Sequence, residues 1–158
     1  MIAFATHSLV AGDITGVSEP SLVLTPPKTG TILDDGLLTA SEIAQLKLNA
    51  DMVILSACNK AAADGTPGAE GLSGLAKAFF YAGSRSLLVT HWPVFSDAAV
   101  RLTTGMLAEL SQSFSMGRAE ALRRSMMALM GDHDKPHYAH PMFWAPFVVV
   151  GEGGKARR

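Results

Sequence analysis

DMVILSACNK, residues 51–60, runs through four apolar side chains, Met52 to Leu55, and passes Ser56 and Ala57 to reach Cys58, the chain's only cysteine. So short an apolar run, without polar alternation, reads as a strand covered on both faces, as in a parallel sheet. Met52–Ala57 is the expected strand, and its end carries the thiol toward a loop. Residues 59–70 (NKAAADGTPGAE) have the small and turn-forming composition such a loop needs.

The same kind of run recurs on both sides. Downstream, Leu72, Leu75, Ala76, Phe79 and Phe80 fall at helical spacing, with Gly83 placed as a C-cap. Ser86–Thr90 is the next apolar strand and stops at His91-Trp92-Pro93. Ser96 is expected to cap a helix whose inner face carries Ala99, Leu102, Met106 and Leu110. Arg118–Met130 is expected as a further helix, with Leu122, Met126, Leu129 and Met130 inward and Gly131 as its stop. Phe147–Val150 is the last strand. Pro146, which has no N–H to donate, argues for a place at the sheet edge.

Upstream, Ile2–Ala5 is a short apolar strand that stops at Thr6-His7. Ser21–Leu24 is a candidate strand, and Asp34-Asp35-Gly36 a turn before the apolar pair Leu37-Leu38. Thr39 and Glu42 have capping-box spacing, which starts a helix running to about Lys47. Continuously apolar strands alternating with helices predict an α/β sandwich with a largely parallel sheet covered on both faces. In such folds the chemistry collects beyond the carboxyl ends of the strands. His7, Cys58 and His91 all fall at such ends.

Composition narrows the function classes. At 158 residues the chain suits one domain, and 48% hydrophobic residues are enough for a real core. A formal net charge of -1 gives no general attraction to nucleic acid or anionic membrane. No apolar run approaches the roughly 20 residues that span a bilayer. Met1-Ile2-Ala3-Phe4-Ala5 lacks the basic start and long apolar core of a secretory leader. A single cysteine cannot form an internal disulfide, so a reducing, cytoplasmic location is expected.

The segments FATH (4–7), LDDGLLTASEIAQLKLNADMVILSACN (33–59), AEGLSGLAKAFFYAGSRSLLVTHWPV (69–94), EALRRS (120–125) and HPMFWAPFVVVG (140–151) together resemble the CHAT domain. This is a caspase-like module usually fused to tetratricopeptide repeats, within the caspase, separase and metacaspase group of cysteine peptidases. The resemblance implies a caspase-like three-layer sandwich over residues 1–151, the C-terminal part of a larger protein, with 152–158 a flexible tail. The family sheet has two further strands ahead of the one that leads to His7, and these are expected to be missing from this chain, an N-terminally incomplete domain.

The resemblance also implies a catalytic dyad, with His7 at the family histidine and Cys58 at the family nucleophile. Their separation of 51 positions agrees with the roughly 50 expected when a caspase-type histidine precedes its cysteine. The backbone amides of Ser8 and Cys58 are the implied oxyanion donors, by analogy with the caspase arrangement. The expected activity is hydrolysis of peptide bonds in protein substrates, with no metal or organic cofactor. Expected partners are a protein or peptide substrate, upstream tetratricopeptide repeats or another regulator, and a second copy pairing through an exposed Ile2–Ala5 edge. Nucleic acid and membrane are not expected partners. A catalytically silent scaffold for protein–protein interaction is the alternative. The chain departs from many relatives at Ser8, where they carry glycine, and at Phe95, where they carry an acidic residue.

Several residues have two readings. Cys58 without the family pattern is a small core hydrophobe. His91 and Trp92 are a wall of the substrate groove or a packed pair at a strand end. Asp97 is a recogniser of a substrate side chain, or a carboxylate favoured at a helix N-terminus. His133, His137 and His140 with Asp132 and Asp134 match no zinc spacing, and Pro136 and Pro141 interrupt them, so a surface loop is expected there.

Overall fold

Four strands form the central sheet, in the order β1 (Ile2–Phe4), β5 (Val53–Leu55), β6 (Ser86–Thr90), β7 (Phe147–Gly151). The computed structural model describes residues 1–31, 34–55, 70–113 and 115–154, and for 70–73 the backbone alone. The first three strands run parallel, with Phe4 beside Leu55 and Ile54 beside Leu88. β7 closes one edge antiparallel to β6, its Phe147 beside Thr90, so the edge position expected from Pro146 holds. The Pro146 carbonyl, its remaining backbone group, accepts from the His91 amide at 3.0 Å.

Helices cover both faces, and the period-2 alternation of the strands decides which side chain faces which layer. Val53, Leu55, Leu87 and Val89 pack with Ile43 of α1 (Ala40–Gln45) and with Leu75 and Phe79 of α2 (Glu70–Tyr81). Ile54, Leu88 and Phe147 turn to the other side, against Leu102 and Met106 of α3 (Ser96–Gln112) and Leu122 and Leu129 of α4 (Arg118–Met130). The result is the expected three-layer α/β sandwich with a mainly parallel sheet.

Local signals set most element ends. The Thr39 hydroxyl accepts from the Glu42 amide, and the Glu42 carboxylate accepts from the Thr39 amide at 2.8 Å, so the capping box is present. At the end of α2, Ser84 N–H reaches the Phe79 carbonyl and Gly83 N–H the Phe80 carbonyl, both at 3.0 Å. This is a Schellman closure, and it needs the left-handed backbone (φ +94°) that Gly83 adopts without a Cβ penalty.

One expectation fails and one is refined. α3 is capped by Phe95, not Ser96, and without a side-chain bond; Ser96 is already the first helical residue. The segment after α4 lies at the surface as expected, with His133, His137 and His140 exposed, but it is folded rather than open loop. Prolines 136 and 141 each start a short 3-10 turn, Pro136–Ala139 and Pro141–Phe143, which drives Tyr138 fully into the α3–α4 core. A residue-by-residue polarity reading misses this because one buried aromatic outweighs its polar neighbours.

A second, small antiparallel sheet joins β2 (Ser8–Leu9), β3 (Ser21–Val23) and β4 (Leu37–Thr39). Strands of two or three residues carry too little periodicity to be paired from sequence. Leu22, fully buried, ties this sheet into the α1–α2 layer.

Candidate functional site

The carboxyl ends of β1, β5 and β6 open on one edge of the central sheet, because the three strands are parallel. Phe4 and Leu55 are register partners there, in strands spaced roughly 4.8 Å apart. His7 follows Phe4 by three positions, and Cys58 follows Leu55 by three. Cys58 itself lies outside the described residues, as does the expected loop over 59–70 except for Glu70, which already starts α2.

His7 sits at the hinge between the two sheets. Its side chain is exposed, and its carbonyl accepts from the Val23 amide at 2.9 Å. The preceding Thr6 hydroxyl donates to the Val23 carbonyl. The imidazole is thus carried on backbone tied on both sides, to β5 through β1 and to β3 through β2. The bond from Val23 to His7 also defines Ser8 and Leu22 as a pair whose own amides point away from each other. The Ser8 N–H is therefore turned away from β3.

A cleft of about 270 Å³ opens beside His7. Ala5, Thr6 and His7 form one side, and Val94, Ser96, Ala99 and Val100 the other. None of the second group read as a site residue in the sequence, where Ser96 stood out only as a helix cap and Ala99 as a core position. The first turn of α3 meets the end of β1 through tertiary structure alone.

His91 and Trp92 follow β6 at the same sheet edge and are both exposed, yet neither lines this cleft. Asp97 does not line it either. Its carboxylate accepts from the Tyr138 hydroxyl and stands 3.8 Å from the Lys135 ammonium. The Tyr138 hydrogen bond, with help from the Ala98 amide and Lys135, holds the Asp97 carboxyl below its ordinary range against a desolvation that works the other way. The Asp97 side chain belongs to the start of α3 and its junction with Tyr138. Among the described residues no group of three or more His, Cys, Asp and Glu could hold a metal ion. His137 instead packs tilted against Tyr138 and edge-on to Phe143, with ring centres 4.4 and 5.3 Å away.

No helix among the described residues is long and apolar enough to cross a membrane. A family model for the CHAT domain matches residues 1–152. Tetratricopeptide repeat protein 28 of Mus musculus is 31% identical over 149 residues, which cover 92% of this chain and 5% of that protein. The Homo sapiens protein of the same name is 29% identical over 127 residues, 78% of this chain and again 5% of the relative. The chain thus spans about a twentieth of the length of the curated relatives it matches.

Proposed function

The chain belongs to the CHAT domain family, and on that premise we propose that it is a cysteine endopeptidase domain acting through Cys58 and His7. The observation that carries this reading is the parallel pairing of Phe4 with Leu55, each three residues before one of the two groups. The Cys58 thiolate attacks the carbonyl carbon of a peptide bond, and the carbonyl electrons move onto oxygen. Collapse of that oxyanion breaks the C–N bond, and the His7 imidazolium protonates the departing amine. Water then attacks the thioester, losing its proton to His7, and the Cys58 sulfur leaves. The amides of Ser8 and Cys58 are the proposed donors to the oxyanion. The outward turn of the Ser8 N–H from β3 supports the first of them.

Both relatives are named for tetratricopeptide repeats. We assign this chain the same context: repeats on the same polypeptide or a partner that gate a cytoplasmic protease. The exposed Trp92 and Phe95 favour a second reading, a silent module for protein–protein interaction. A thiol-directed peptide electrophile separates the two. The native chain is expected to label, Cys58→Ala not at all, and His7→Ala roughly 10²-fold or more slowly. Equal labelling of native and Cys58→Ala protein overturns the peptidase assignment and leaves the interaction module.

A further inference from the structure

Among the described residues, the cleft beside His7 has no ionisable group in its walls other than the imidazole itself. Ala5, Val94, Ala99 and Val100 are apolar, and Thr6 and Ser96 are uncharged. The charged side chains nearest in sequence are committed elsewhere, Asp97 to Tyr138 and Lys135, and Arg101 to Asp132. Val100 on the open side is 61% exposed, so apolar surface is presented to solvent next to the candidate acid–base group. The volume, about 270 Å³, lies just under the roughly 300–1,000 Å³ of pockets that hold whole small ligands. It suits one side chain and its adjoining backbone.

We infer that this cleft is the specificity pocket of the proposed peptidase, and that it takes an apolar side chain, of the Leu or Met kind, from the residue whose carbonyl is attacked. The inference rests on the peptidase reading. Placing Asp or Arg here would bury a charge against Ala99 and the valines with no counter-charge among the described lining residues, and an unpaired buried charge is strongly disfavoured. Discrimination therefore comes from desolvation rather than from a salt bridge.

Three acyloxymethyl ketone peptides that differ only in a Leu, Asp or Arg beside the reactive carbonyl test this on the full chain. The Leu probe is expected to label Cys58 at least about tenfold faster than either charged probe, as differential burial in an apolar pocket allows. Val100→Asp should slow the Leu probe and narrow or reverse its lead over the Arg probe. Labelling that depends on Cys58 but is fastest with Asp or Arg overturns the apolar cleft and leaves the peptidase standing. Labelling that does not depend on Cys58 overturns the peptidase.

The cleft is judged separately by NMR of the Ala99 and Val100 methyls in Cys58→Ala protein titrated with acetylated tripeptide amides of the same three sequences. Saturable shifts with the Leu peptide alone support it, and no shifts, or equal shifts with all three, overturn it.

Discussion

Replacing Gly105 by alanine probes how α3, which carries one wall of the cleft, is seated on α4. A Cβ at Gly105 would stand 2.5 Å from the Ser125 hydroxyl and 3.5 Å from its Cβ. That hydroxyl is buried and donates to the Leu102 carbonyl at 2.7 Å, so it is not free to swing aside. Alanine in mid-helix gains about 1 kcal/mol over glycine in propensity. Overpacking costs about 1–3 kcal/mol, so Gly105→Ala should be net destabilising by roughly 0–2 kcal/mol.

Ser125→Ala alone loses one hydrogen bond, about 1 kcal/mol. The Leu102 carbonyl is not orphaned, since it lies inside α3 and keeps its helical partner. In the double variant the new methyl meets the residue-125 Cβ at 3.5 Å and its Cα at 4.0 Å, both ordinary contacts. The two remaining terms, propensity gained and hydrogen bond lost, nearly cancel. The double variant should therefore exceed the sum of the singles by about 1–3 kcal/mol. Urea denaturation of the four proteins measures this through the midpoint, with the slope unchanged. Additivity within about 0.5 kcal/mol, or a Gly105→Ala protein more stable than the parent, would refute the reasoning.

Two further perturbations read other parts of the molecule. Hydrogen bonds from Arg123 and Arg124 hold the Glu120 carboxyl at about 2, down from the ordinary 4.5. A depressed folded-state value means a contribution fully present above 4.5 and lost as pH falls toward 2, so Glu120→Gln should flatten stability against pH across that window when followed by thermal melts. At the open edge of the sheet, Ile2 and Phe4 direct their backbone groups to β5, as the bond from the Ile2 amide to the Met52 carbonyl shows. Ala3 N–H therefore faces away from β5, and β1 has no second neighbour among the described residues. Ala3→Pro should weaken self-association of the chain by light scattering while sparing the ladder; an unchanged concentration dependence argues against pairing through this edge.

The order and type of the long elements were legible in the chain alone because each depends on neighbours within one or two turns. Ser86–Thr90 and Arg118–Met130 have the bounds their apolar patterns predict. The Thr39–Glu42 cap and the Gly83 stop are local backbone devices, whereas the pairing of His7 with Cys58 is implied by the family resemblance of two separate segments, 4–7 and 33–59. Tertiary structure decided what depends on distant atoms meeting. It paired β2 with β3 and β4, buried Tyr138 from a polar stretch, took the Asp97 carboxylate to Tyr138, and set Val94, Ala99 and Val100 across from Ala5. Hydrophobic periodicity records which face of an element is dry, but a cleft is made by two elements that are dry for different reasons, and neither pattern carries the other's position.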